Sequence, residues 1–376
     1  MNPVRHYRAR AASAIGRMRG RGYRLLPLVM LHMPRMVLLR AYRVLARRMN
    51  RSAVFRRRNA RTLDRLHAGD ARYRAGGHFY VIVMPGTLHF LVPCLALLPS
   101  DLAVVLVCNG AVRWERELLK RKFPRLPMIE LSRMPETSLT HGDVITLLLC
   151  ANAGNFGLLD HDCYVFDRAV FDSLAPGPRD CLSAVFGGIS ARTGLPYPET
   201  YLLYLNTQVL CGIMRRYNVE ARIYPVAPAR VRDLLARIGI GPGVYVKENK
   251  RFFDTLHLML ALAGAEGFEV AFLHGADERA IAHIGGTSWQ TRATKELVEC
   301  YVDWRFLEMA DDEVRRRYAR RFRPFDSAAQ VRAAIPMTPE AFAKIAWADA
   351  LVDRLASTRC TAGPALPQAQ PSSLPA

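Results

Sequence analysis

Between residues 78 and 166 the chain exchanges short apolar runs of strand length with longer helical patterns. His78 to Met84 reads as a buried strand closed by Pro85-Gly86, and Thr87 to Leu98 as a helix. Leu102 to Cys108 is a second buried strand, turned by Asn109-Gly110. Arg113 to Phe123 predicts a charged helix and Met128 to Leu131 a third strand. Val144 to Ala151 predicts an apolar helix, the turn-rich Asn152 to Asn155 follows, and Phe156-Gly157-Leu158-Leu159 is a fourth strand. Cys163 to Phe166 reads as a strand again. This alternation predicts an α/β fold with a mostly parallel central sheet and helices on its faces.

Beyond Cys181 the pattern weakens. Tyr201 to Tyr217 is a long helix, or a strand followed by a helix; a helix is expected from about Asp254 to Gly264, and Gly267 to Leu273 is a last clear strand. Lys295 to Arg321 predicts one long charged helix, and Thr338-Pro339-Glu340 starts another that runs to about Leu355. Upstream, Leu25 to Met49 mixes apolar and Arg positions in a helical pattern that Pro34 divides. Gly76-Gly77 marks a boundary. The expected organisation is a basic, partly helical segment (1–76), an α/β domain (77–290), a helical extension (291–356) and a disordered tail (357–376).

Charge sharpens this division. The chain carries +20 over 376 residues, and sixteen of those charges are arginines in the first 60 residues, which hold no Asp or Glu. The body is therefore near neutral, and the basic character belongs to the N-terminal segment. A basic, acid-free amphipathic segment suits an anionic membrane surface, at about 1 kcal/mol per basic residue. A flexible basic arm and a transit peptide are the other readings. The apolar stretch Leu25–Leu39 is broken by His32, Pro34 and Arg35, and falls short of the ~20 residues a spanning helix needs. No cleavage site follows an intact apolar region, so a secretory signal is not supported. Eight cysteines without a CxxC pair or zinc spacing fit a reducing compartment.

The chemistry concentrates at Asp160-His161-Asp162, where an apolar strand ends. If the strand alternation continues, Asp160 and Asp162 point to one side, where two like charges repel unless a cation sits between them. Hard oxygen ligands suit Mg²⁺ or Mn²⁺, which commonly hold a diphosphate. The rival reading is a surface turn, which uses Asp freely. In parallel sheets ligands bind at the carboxyl ends of the strands. Met84-Pro85-Gly86 lies at another such end, and no GxGxxG or GxxxxGK[ST] accompanies it.

The order of a first strand with a small loop, Gly-Leu-Leu-Asp-His-Asp, an Asn-Thr segment (Asn206-Thr207), an Asp-Thr helix start (Asp254-Thr255) and His-Ile-Gly-Gly-Thr-Ser (residues 283–288) resembles the GT-A glycosyltransferases of bacterial glycan assembly. The resemblance spans roughly Phe79 to Ser288. It implies a GT-A-like fold and a divalent metal held by Asp160, Asp162 and His283. It implies that Asp160 also contacts the nucleotide-sugar donor, with Gly285 and Gly286 letting the backbone approach phosphate. Met84, Pro85, Gly86 and Asn109 would line the nucleoside. Asp254 would be the catalytic carboxylate, with Glu248 the rival base. No acidic doublet precedes the helix, which leaves inversion and retention both open.

The leading expectation is a metal-dependent transferase moving a sugar from a nucleotide-sugar donor to a glycan or lipid-linked acceptor in polysaccharide or glycoconjugate biosynthesis. It would work in the cytoplasm, peripheral to the inner membrane face. The alternatives are a nucleic-acid-binding protein using the arginine-rich arm, against which the body shows no basic stripe with interleaved aromatics, and an inactive GT-A-like scaffold.

Overall fold

The computed structural model describes residues 26–273, 279–287, 296–322 and 324–361. The Arg-rich stretch 1–24, the last residues of the expected tail from 362 onward, and Ser288 lie outside the described residues.

Eleven strands are described. In chain order they are β1 (Phe79–Val83), β2 (Val104–Cys108), β3 (Met128–Glu130), β4 (Phe156–Leu159), β5 (Cys163–Val165) and β6 (Asp180–Ala184). There follow β7 (Gly187–Ile189), β8 (Pro196–Pro198), β9 (Leu202–Leu205), β10 (Glu269–Phe272) and β11 (Ile281–His283). Seven of them form one sheet in the order β10-β6-β9-β4-β1-β2-β3. The pairs β1–β2, β1–β4, β2–β3 and β10–β6 are parallel, and β9 runs against both β4 and β6. The expected mostly parallel α/β sheet is present, with one reversed strand that the sequence pattern did not separate from a helix. A four-residue apolar run has no period long enough to decide between the two. Asn206 decides it by ending the strand and capping the Thr207–Tyr217 helix, its side chain accepting from the Val209 amide.

The sheet is covered on both faces, and β1 shows why its residues are apolar throughout. Phe79, Val81 and Val83 join the layer that contains Leu159 and the Leu297–Met309 helix, while Tyr80 and Ile82 join the layer under the His141–Ala151 and His257–Ala265 helices. On the neighbouring strand a Cβ at Gly157 would collide with the Phe79 ring, so only glycine lets β4 and that ring share the layer.

Several helix boundaries differ from the sequence reading; the last helix runs over Pro339–Thr361, past the expected end at about Leu355, and takes in the first residues of the expected disordered tail. The first helix is continuous over Leu26–Asn50, so Pro34 does not divide it; losing one backbone hydrogen bond does not end a helix of this length. The expected Lys295–Arg321 helix is two, Leu297–Met309 and Asp312–Ala319. Extended backbone at Ala310 breaks it, and the next helix starts with Asp312 and Glu313 in the first turn, where carboxylates meet the positive helix end. The helix expected from Asp254 begins at His257 instead, because Leu256 adopts a left-handed conformation (φ 68°). The basic segment is also tied to the sheet. Asn59 of the Ala53–Gly69 helix exchanges two hydrogen bonds with the Ser132 backbone, and Leu63 is fully buried.

Candidate active site

The buried strand β4 ends at Leu159, and the Asp160 amide donates to the Tyr201 carbonyl (2.8 Å) just ahead of β9. The Cys163 amide then returns to the Asp160 carbonyl (3.2 Å). Asp160-His161-Asp162 is therefore a tight turn between β4 and β5, not an extended strand end. The two carboxylates come together by reversal of the chain, not by strand alternation. A third group arrives from far along the sequence, because β5 pairs antiparallel with β11 and sets His283 opposite Cys163.

The ligating atoms of Asp160, Asp162 and His283 all lie within 4.8 Å of one another. Asp162 is 2% exposed, and its two oxygens have separate duties. Oδ2 accepts from the Gly285 amide (3.1 Å) and the Thr287 hydroxyl (2.8 Å). Oδ1 faces His283 Nε2 at 3.5 Å. Thr287 also meets His161 Nε2 at 2.8 Å. Burial alone would raise the Asp162 pKa, but the charge of His161 and the hydrogen bonds from His283 and Thr287 outweigh it and hold the carboxyl ionised. Burial likewise opposes a charged His283, yet its hydrogen bond to Asp162 and the charges of Asp162, Asp160 and Glu199 raise its pKa. The cluster thus favours positive charge beside it.

A divalent cation fits this donor set. Two carboxylates and an imidazole suit Mn²⁺ or Mg²⁺, whose ligands sit about 2.1 Å away. One Asp162 oxygen is already saturated by backbone and hydroxyl donors, which orients the other inward. The His283 ring is fixed by stacking on Tyr201, with centroids 4.0 Å apart and planes at 22°.

The other expected site residues form two further groups. Met84, Pro85 and Gly86 follow β1, and the Gly86 amide (φ 82°) donates to Glu115 Oε1 (2.8 Å). Asn109 is 1% exposed and holds the Leu139 backbone from both ends, donating to its carbonyl (2.9 Å) and accepting from its amide (2.8 Å). Its amide is thus occupied in shaping the loop that borders this edge.

Asp254 and Glu248 belong to the third group. Glu248 Oε1 accepts from the Arg192 amide (2.9 Å) and from Ser190 Oγ (3.4 Å), and so pins the turn after β7. Asp254 is half-buried; its carboxylate accepts from the adjacent Thr255 amide (2.9 Å) and its backbone carbonyl from the His257 amide (3.1 Å). Glu199 connects this group to the first, since it pairs with Lys247 (2.6 Å) and its charge reaches His283.

Several members escaped the sequence reading. Thr287 stands in the His-Ile-Gly-Gly-Thr-Ser stretch without a role, Tyr201 only opens the 201–217 segment, and Glu199 belongs to no motif. His141, whose Nε2 lies 3.9 Å from Asp160 Oδ1, was missed because it opens a helix nineteen positions before that aspartate. The Asp at strand's end followed by a remote His was the signal in the chain order, and it pointed to the three clustered side chains but not to the residues around them.

The mixed sheet thus carries one reversed strand, and the acidic turn lies at the carboxyl end of its central strand, β4. In the family comparison, residues 55–210, less than half of the chain, match the StrH glycosyltransferase N-terminal domain. That match begins inside the Ala53–Gly69 helix and ends in the helix after β9. No curated protein matches the chain significantly.

Among solved structures, an active-site mutant of LgtC aligns at 11% identity over 71% of this chain and 99% of its own, with a TM-score of 0.33. The glycosyltransferase GlyE of Streptococcus pneumoniae TIGR4 aligns at 14% identity over 65% of this chain and 63% of its own (TM-score 0.36). The 1–349 portion of S. aureus TarS, in complex with UDP-GlcNAc, aligns at 11% identity over 76% of this chain and 83% of its own (TM-score 0.33).

Proposed function

We propose that this chain is a metal-dependent glycosyltransferase that uses a nucleotide-sugar donor. The observation that carries the reading is the convergence of Asp160, Asp162 and His283 at the carboxyl end of β4. These three residues would hold Mn²⁺ or Mg²⁺, which supplies charge to the departing diphosphate. Around it, Asp162 is fixed by Gly285 and Thr287, and Tyr201 sets the His283 ring plane. Asp160 contacts the donor, and Gly285 and Gly286, both at positive φ (74° and 66°), bring backbone close to its phosphates.

Asp254 is the better base of the two carboxylates. Glu248 is committed to two hydrogen bonds within its own loop, whereas Asp254 keeps one oxygen clear to receive an acceptor hydroxyl proton. The acceptor is a glycan or lipid-linked sugar. Nucleoside diphosphate release from a panel of nucleotide sugars, with Mn²⁺ and with EDTA, tests the reading. Turnover that is indifferent to EDTA would overturn the metal requirement.

The chain docks on an anionic membrane surface. The support is the first helix, where Val37, Leu38, Val44 and Leu45 are 55–69% exposed among Arg40, Arg43, Arg47 and Arg48. Among the described residues no helix is long and apolar enough to cross a membrane. Co-sedimentation with anionic vesicles but not zwitterionic ones, lost when residues 1–50 are removed, is the expected result.

A further inference from the structure

Beside the Gly86 loop that follows β1 lies a cavity of about 600 Å³. Trp114, Glu313, Arg316, Arg317, Tyr318, Arg320 and Arg321 line it. Four guanidinium groups thus share one concavity with a single carboxylate. That carboxylate is already divided, since Glu313 pairs with Arg317 (3.2 Å) and with Arg121 (2.8 Å). Like charges gathered this way repel, and the arrangement calls for an anion.

The walls are built, not merely charged. Arg317 lies over the Trp114 ring (4.7 Å) and Arg321 over the Tyr318 ring (4.5 Å), which holds two guanidinium planes in place. Beneath them Glu115 is fully buried and accepts from the Gly86 amide, the Val112 amide and the Tyr318 hydroxyl. One carboxylate therefore ties the loop after β1, the start of the helix after β2, and the Asp312–Ala319 helix, which carries Arg316 and Arg317 and leads into the turn that carries Arg320 and Arg321. Arg321 packs so closely on Gly86 that a Cβ there would collide with its guanidinium. The cavity adjoins the edge of a parallel sheet where ligands bind.

We propose that this cavity is a metal-independent binding site for a phosphate or diphosphate group, held bidentately by Arg320 and Arg321 beside the Gly86 loop. The phosphate comes either from the donor nucleotide or from a phosphorylated acceptor. The proposal uses no residue of the Asp160–Asp162–His283 cluster, so it stands or falls separately from the metal reading.

The test is calorimetric titration of inorganic pyrophosphate into the full chain in EDTA. The wild type binds, Arg320→Ser/Arg321→Ser weakens binding at least tenfold, and Asp162→Ala binds like wild type. Arg315→Ser, whose guanidinium pairs with Asp312 outside the cavity, also binds like wild type. These arginines are exposed, so the variants fold, and their denaturation midpoints verify it. Displacement of bound pyrophosphate by UDP or GDP assigns the site to the donor's phosphates. Simultaneous binding of both assigns it to the acceptor's. Absence of pyrophosphate binding by the wild type, or equal binding by the double variant, overturns the proposal.

Discussion

Tyr201 holds both ends of the acidic cluster: its ring stacks on His283 at 4.0 Å, and its carbonyl accepts the Asp160 amide at 2.8 Å. One residue at the entrance to β9 thereby sets the spacing between the Asp160 carboxylate of one turn and the His283 imidazole of a remote strand. The ring supplies the fixed plane, and its hydroxyl has no part in that. Tyr201→Phe is expected to keep Mn²⁺ affinity within about twofold, and Tyr201→Ala to lower it about 10–100-fold, as loss of supporting residues around a metal does. Titration of the metal against activity and against thermal stability reads both.

Thr287 is expected to behave in the same way. Its hydroxyl bridges Asp162 Oδ2 and His161. Thr287→Val keeps the shape and removes the donor, leaving Asp162 with the Gly285 amide alone on that oxygen. Metal affinity is expected to fall about 10–100-fold while the fold is retained. Unchanged affinity would show that Asp162 needs no such orientation.

Gly86 and Glu115 form the structural counterpart on the other side of the sheet edge. Gly86→Ala places a Cβ at φ 82° and against Arg321, so it is expected to cost about 1–3 kcal/mol. Glu115→Gln turns one carboxylate oxygen into a donor facing the groups that now donate to it, and is expected to cost about 2–4 kcal/mol. Urea denaturation of both variants measures this.

Stability should fall on mild acidification. His78 is fully buried with neither ring nitrogen hydrogen-bonded, and burial, aided by the nearby His67, lowers its pKa to about 4. Burial also lowers His257 to about 4, against the opposing charge of Asp254. In the unfolded chain both titrate near about 6.5. Between these values the unfolded state takes up protons that the folded state refuses. Stability is therefore full above pH ~6.5 and declines towards pH 4, by up to about 1.4 kcal/mol per pH unit for each histidine. His78→Phe, set among the rings of Tyr73 and Tyr80, should flatten that decline. A decline of the same slope in the variant would contradict the assignment.

The two candidate bases separate kinetically. Asp254→Asn is expected to cut kcat by about 10²–10⁴-fold with little change in stability. Glu248→Gln disturbs the Ser190–Thr193 turn and should act on stability and KM more than on kcat. The reverse pattern would exchange their roles.

The sheet's first four strands were legible because each is a short apolar run between turn residues, and Asp160 and Asp162 were legible because charge at the end of such a run is out of place. His283 was reached through motif order. What could not be read was set by contacts between distant segments. β9 could be read as the start of a helix or as a strand before one, β11 is three residues long and is held by pairing with the remote β5, and Glu115 looked like one more charged residue on a charged helix. Glu115 is buried because the Gly86 loop and Tyr318 come to it, which no local pattern records. The Asp160–Asp162 convergence was anticipated for the wrong geometric reason, since a turn and not a pleat unites them.

The central claim is that Asp160, Asp162 and His283 form a metal-dependent donor site, and thermal unfolding with ligands tests it most directly. UDP, GDP, CDP and dTDP would each be added with Mn²⁺ and with EDTA, to the wild type and to Asp162→Ala. Ligand at one hundred times its Kd stabilises the folded state by about 2.7 kcal/mol, which is a measurable shift in Tm. The account predicts a shift for at least one nucleotide that requires Mn²⁺ and vanishes in Asp162→Ala. A folded wild type with no shift for any nucleotide, or a shift that persists in Asp162→Ala, would contradict it.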